Sequence, residues 1–215
     1  MTDPTIEKLT FLALGWLLGL LGPVIADAIK RKRENILGRA AILTELTELA
    51  GILAVAAYGV HMRLGTADRK FLEWLEDTLE QYAITPKLQG FIPRIRTHLS
   101  RTDDELHTLA KHTSADDGTG VMLQHYPVPL LDARVSAIWS FDTSFQRQLL
   151  EIRRNVAIID DVVDRSHKYF DMTFTTLEGK NHDLVAGNLT QTYALYAQRA
   201  MAIVDQIKSL KATRE

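Results

Sequence analysis

The chain opens on an apolar run unlike anything that follows it. Residues 9–26 read LTFLALGWLLGLLGPVIA, eighteen positions without a charge and with Thr10 as the only polar side chain. A helix of that length covers roughly 27 Å, close to the hydrocarbon thickness of a bilayer. The run is apolar all round, whereas a helix on the surface of a globular protein carries one apolar stripe. The pattern predicts one N-terminal transmembrane helix. Pro23 lacks an N–H and is expected to kink or loosen its last turn. Gly15, Gly19, Gly22 and Ala26 fall at i, i+4, i+7 and i+11, on one helix face. Small residues there let two backbones approach closely in lipid, so this stripe is the expected helix–helix contact.

A second apolar run, residues 49–60 (LAGILAVAAYGV), is bounded by Glu45 and Glu48 before it and His61 and Arg63 after it. Twelve residues are too few to span a bilayer and suit a buried helix. Their many Ala and Gly side chains imply a close-packed neighbour. A helix is expected over residues 34–63, running on from the membrane segment across its basic end.

Beyond this point the period is helical, with one obvious break. Residues 67–83 place Phe71, Trp74, Leu75, Thr78, Leu79 and Tyr82 on one face, and residues 92–99 form a short helix after Pro86 and Pro93. Thr102, Asp103, Asp104 and Glu105 make a helix start, with acidic residues in the first turn, and that helix extends to about His112. The stretch 114–131 holds Gly118, Gly120, Pro127 and Pro129, which forbid a regular helix. Residues 132–177 form a heptad-like seam of Val135, Ile138, Phe145, Leu149, Ile152, Val156, Ile159, Val163 and Phe170, interrupted by Asp142 and Ser166. A turn at residues 178–181 leads to a final helix, 182–212, with Val185, Leu189, Tyr193, Tyr196, Ala200, Ile203, Ile207 and Leu210 on one face. The expected fold is all-α: a membrane anchor over residues 1–29, a basic juxtamembrane segment and first helical half over 30–114, a crossover loop over 115–131, and a long antiparallel helical hairpin over 132–215 packing on the first half as a cytosolic bundle.

Charge orients this picture. Lys30, Arg31, Lys32 and Arg33 directly follow the apolar run, while Asp3, Glu7 and Lys8 precede it. The positive-inside rule then puts the N-terminus outside and the C-terminal domain in the cytoplasm of a single-pass cell-membrane protein. The same four cations would attract anionic lipid at roughly 1 kcal/mol each. Ala26-Asp27-Ala28 has the small-x-small form of a signal-peptidase site, but the segment before the apolar run is not basic, and cations right after a cut oppose translocation. The net charge of −2 shows no basic excess, which excludes a broad nucleic-acid-binding surface. With no cysteine, thiolate metal sites, disulfides and cysteine nucleophiles are excluded.

Candidate chemistry is sparse. Asp160, Asp161 and Asp164 match the DDxxD pattern with which prenyl-transferring and terpene-forming enzymes hold magnesium–diphosphate. Aspartates at i and i+4 can share bridging magnesium ions, but such a site needs a second acidic cluster and an apolar cavity. Asp160 and Asp164 fall off the apolar seam, where solvated residues lie, and Arg165 is the expected ion-pair partner of Asp161. Asp104/His107 and Asp164/His167 share the i, i+3 spacing of carboxylate–histidine ligands in helical di-metal bundles, though those sites use glutamates. Asp116-Asp117-Gly118-Thr119-Gly120 has neither the lysine of a P-loop nor the ligand spacing of a calcium loop. Arg94, Arg96 and Arg101 are a candidate second basic patch. No nucleophile motif occurs, and no cofactor or metal is expected. The chain therefore reads as a membrane-anchored helical interaction or scaffold protein, its partners the lipid bilayer and a second copy or a cytosolic protein. The competing readings are a metal-dependent enzyme using Asp160, Asp161, Asp164 and His167, and a membrane-inserting effector.

Overall fold

The computed structural model describes residues 4–114, 121–175 and 179–212. The Asp116 to Gly120 stretch, the start of the expected crossover and the beginning of the expected 178–181 turn lie outside the described residues. All regular structure among the described residues is helical: α1 (Pro4–Leu64), α2 (Arg69–Tyr82), α3 (Pro86–Gln89), α4 (Phe91–Leu99), α5 (Asp103–Thr113), α6 (Pro129–Arg134), a 3₁₀ helix (Val135–Ser140), α7 (Thr143–Thr173) and α8 (Gly179–Ala212). The all-α expectation holds.

The chain divides into two compact units, Met1–Ala41 and Ile42–Glu215. The first is the N-terminal part of α1. Pro23 lies inside that helix, which runs on through it. Losing one N–H removes a single i→i−4 bond, and the ladder on either side continues. The helix expected from residue 34 is thus continuous with the apolar run.

The second unit has its own core. Residues 49–60 are a buried helix, as their length implied: Leu49, Ala50, Leu53, Ala54, Ala57, Tyr58 and Val60 are all buried. The implied close neighbour is the end of α2. A Cβ added at Gly51 would stand 2.9 Å from the Tyr82 carbonyl oxygen and 3.0 Å from Leu88 Cδ1, whereas one added at Gly59 meets nothing within 4 Å. The backbone oxygen has little freedom to retreat. Gly51→Ala should therefore lose about 1–2 kcal/mol of stability despite the gain in helix propensity, while Gly59→Ala should gain up to about 1 kcal/mol. Paired denaturant melts of the two variants read this difference directly.

Helix ends are satisfied largely by local chemistry. Asp68 caps α2 through Phe71 N–H, and Thr102 and Glu105 close a capping box on α5. The expected single helix over residues 132–177 is corrected: it splits into α6, the 3₁₀ helix and α7. The break falls at Asp142, whose carboxylate accepts from Phe145 N–H at 2.8 Å and caps α7. A side-chain oxygen in that position satisfies an orphan helix donor, which favours starting a new helix over continuing the old one. Ser166, the other interruption of the seam, stays inside α7 because its hydroxyl donates to Val163 O at 2.8 Å. From α7 onward the seam is as expected, with Phe145, Leu149, Ile152, Val156, Ile159 and Val163 buried.

α7 and α8 pack extensively against each other. Asn155 donates to Gln206 across them at 2.9 Å. α2 joins α8 through Trp74 Nε1 to Asp205 (3.0 Å) and Lys208 to Asp77 (2.7 Å).

One helix start is capped from far away. α6 has Val128 before it, which offers no side-chain oxygen, and Pro129 at its first position. The donors of Leu130 and Leu131 are taken by the two oxygens of Glu45, both at 2.8 Å. Glu45→Ala should cost about 1–2 kcal/mol, in the range of a lost helix cap. Glu45→Gln, which keeps one acceptor oxygen, should cost less. Urea unfolding of both variants tests the order.

Candidate functional site

Two features stand out from the packed core. The first is the apolar surface of the N-terminal unit. Phe11, Leu12, Leu14, Trp16, Leu20, Leu21, Val24 and Ile25 are exposed, Leu12 to 76%. This part of α1 is long and apolar enough to cross a membrane. A Cβ added at Gly15, Gly19 or Gly22 meets no other atom within 4 Å, and Ala26 is exposed, so the small-residue stripe is open along its length. Lys30, Arg31, Lys32 and Arg33 are exposed in the next turn.

The second feature is polar and sits on α7. Residues 121–128 form no regular structure and lie against α7 as a strap. Two apolar plugs seat it, Leu123 and Val128, each 3% exposed. Polar contacts pin its backbone: Val121 N–H donates to the Tyr193 hydroxyl at 3.0 Å, and His167 Nε2 donates to the Leu123 carbonyl at 2.8 Å. Between the plugs His125 turns outward. Its Nδ1 lies 3.0 Å from Asp160 Oδ1 and its Nε2 lies 3.2 Å from Asp164 Oδ1. Asp160, Asp164 and His167 are at i, i+4 and i+7 of α7, so helical geometry alone gathers them on one face. The His125 and His167 rings meet edge to face, centroids 6.2 Å apart.

The electrostatics follow from these contacts. The hydrogen bond to Asp160, reinforced by the charges of Asp160 and Asp164, holds the His125 imidazole pKa above its ordinary value. Both ring nitrogens face carboxylates, a geometry that favours the imidazolium over the neutral ring. One nitrogen each of His125 and His167 and one Asp164 oxygen lie within 4.8 Å of one another, a cluster able to hold a metal ion.

The α7 candidates therefore separate. Asp160, Asp164 and His167 are brought together, whereas Asp161 points away and is exposed. The expected Asp161–Arg165 ion pair does not form among the described residues; the two neighbouring aspartates pair with His125 instead. Among the described residues, the gap beneath Asp160, lined by Leu49, Leu53, Tyr126, Val156, Ile159, Asp160 and Ile203, has no room for a water molecule. His125 carried no signal in sequence, because it stands 35 residues before Asp160 in a stretch without periodicity. An exposed histidine flanked by buried Leu123 and Val128 marks it only once the strap is placed.

The other candidates do not converge. His107 lines a shallow groove with Ala67, Asp68, Arg69, Asp103 and Leu106, while Asp104 lines a different one with Arg101, Thr108 and His112. In the proposed basic patch, Arg96 is neutralised by Glu76 at 2.7 Å and by Glu80. Comparison of the chain with protein-family models, with characterised proteins and with solved structures finds no match.

Proposed function

We propose that this protein is a membrane-anchored helical interaction module. Residues 9–26 span the bilayer, Lys30, Arg31, Lys32 and Arg33 stay on the cytoplasmic side among anionic headgroups, and the Ile42–Glu215 unit is presented to the cytoplasm. There it assembles with a second copy of the chain or with a cytosolic protein, and the stripe of Gly15, Gly19, Gly22 and Ala26 is the intramembrane contact between copies. The observation that carries the reading is the exposure of the large apolar side chains Phe11, Leu12, Leu14, Trp16, Leu20, Leu21, Val24 and Ile25 along the N-terminal helix. Exposed apolar side chains over that length of helix make a far larger patch than a water-soluble monomer tolerates. Lipid satisfies it on all faces at once, and the cations at its end supply orientation.

The intact chain is expected to sediment with membranes and to resist alkaline carbonate extraction. Protease added to sealed cells should leave the C-terminal unit uncut. Two differently tagged copies should co-purify from detergent, and Gly19→Leu should weaken that pairing by crowding the stripe. A chain recovered without detergent as a soluble monomer would overturn the reading.

A further inference from the structure

We propose that His125, Asp164 and His167 form a binding site for one divalent transition-metal ion of the zinc class, with Asp160 as the carboxylate that orients His125. In this site the ion lies between His125 Nε2 and Asp164 Oδ1, which stand 3.2 Å apart.

The distances favour a small tetrahedral ion. Bonds of 2.0–2.1 Å at a tetrahedral centre set ligand atoms about 3.3–3.4 Å apart. His125 Nε2 and Asp164 Oδ1 already stand 3.2 Å apart, at one edge of such a tetrahedron. A nitrogen of His167 lies within 4.8 Å of a nitrogen of His125 and a carboxylate oxygen of Asp164, and rotation about the side-chain torsions brings the three ligands onto one ion. Asp164 and His167 are one helical turn apart, so α7 presents this pair without help from the strap.

Both histidines also have the outer partners that metal-bound imidazoles use. A ligating histidine donates its second ring N–H to a carboxylate or a backbone carbonyl, which sets its tautomer and orientation. His125 has Asp160 Oδ1 at 3.0 Å from Nδ1, leaving Nε2 for the metal. His167 donates Nε2–H to Leu123 O at 2.8 Å, and a carbonyl only accepts, so Nδ1 carries the lone pair. Two histidines each held by a different outer acceptor, one of them a carboxylate on the same helix face, go beyond the chance spacing of surface residues. Ligand type narrows the ion: two imidazoles and one carboxylate suit zinc, copper or nickel and not magnesium or calcium, which want oxygen alone. Three protein ligands leave the fourth position to water on an exposed surface. The ion would fasten the strap to α7 at a point where only an ion pair now holds it.

The test uses the untagged full-length chain in detergent, stripped with a chelator and titrated with zinc alone against a chromophoric competitor. One ion per chain is expected, and cobalt in its place should show the intense visible absorption of a four-coordinate site. His125→Ala, His167→Ala and Asp164→Asn should each abolish this binding. Asp160→Asn should weaken it about 10- to 100-fold, as loss of an outer carboxylate does. His107→Ala should bind as the unaltered chain does. Asp164→Asn keeps the test decisive if a histidine variant fails to fold, because Asp164 is exposed and its polar partner among the described residues is His125. No zinc uptake by the unaltered chain, or undiminished uptake by Asp164→Asn, would overturn the proposal. Neither result bears on the membrane anchor, which rests on other residues.

Discussion

Arginine at both Leu14 and Leu20 is expected to move the protein from the membrane fraction to the soluble fraction, with the Ile42–Glu215 unit still folded. The magnitudes decide this. Residues 9–26 contain ten Leu, Ile, Phe or Val side chains. At about 0.3–0.6 kcal/mol each they favour insertion by roughly 3–6 kcal/mol together. Each arginine near the middle of the span costs about 2.5–3.5 kcal/mol, so two cost about 5–7 kcal/mol and also remove two of the ten favourable side chains. The balance changes sign. Leu14 and Leu20 belong to the Met1–Ala41 unit and are 52% and 54% exposed, outside the buried core residues of the folded unit. The thermal midpoint of that unit should stay where it was. Carbonate extraction and circular dichroism on the same preparation give both readings, and Leu14→Ile with Leu20→Ile, which keeps the apolar character, should remain in the membrane. If the double arginine chain still pellets as a folded, carbonate-resistant protein, the anchor does not lie in this helix.

Leu149→Ala should destabilise the Ile42–Glu215 unit by about 2–5 kcal/mol, whereas Leu150→Ala should change it by less than about 0.5 kcal/mol. Leu149 is fully buried on the α7 seam, between Phe145 and Ile152 in the heptad pattern, while Leu150 is 45% exposed. Truncating the first removes transfer energy and leaves a void that a long, regular helix pair cannot collapse around. Truncating the second removes side-chain atoms already half in water. Because 2–5 kcal/mol is a large share of the stability of an ordinary domain, the first variant is expected to melt well below the second. Guanidinium titrations with the same slope and separated midpoints are the expected result; equal midpoints would mean that the seam does not carry the core.

The elements that were readable in advance are those whose information is local. α2 was expected over 67–83 and spans Arg69–Tyr82, because Phe71, Leu72, Leu75, Leu79 and Tyr82 repeat at the helical period and Asp68 supplies the cap. α5 begins where Thr102, Asp103, Asp104 and Glu105 mark a helix start in the sequence, and the structure adds the capping box between Thr102 and Glu105. The region before α7 was less legible. Asp142 looked like a polar flaw in one long seam, when it is the cap that starts a second helix. A seam and a cap are both local patterns, and where they compete the period of apolar residues hides the start signal. α6 was not legible at all, since an apolar Val128 and Pro129 make a poor beginning without the Glu45 carboxylate, which arrives from 85 residues away.

The same division runs through the candidate site. Sequence alone determined that the chain is helical, that residues 9–26 prefer oil to water, that cations follow them, and that Asp160, Asp164 and His167 share one helix face. Each of these is a property of neighbours along the chain, set by backbone geometry and side-chain polarity. Only the tertiary structure decided that Asp161 is left out, that His107 and Asp104 part company, and that His125 lands between Asp160 and Asp164. The strap carrying His125 has no period of its own. Its position is set by where Leu123 and Val128 find space in the core and by what Tyr193 and His167 offer its backbone. Burial of two apolar side chains is non-directional and depends on surfaces contributed by distant helices, so the residue between them is aimed by packing that no local pattern records.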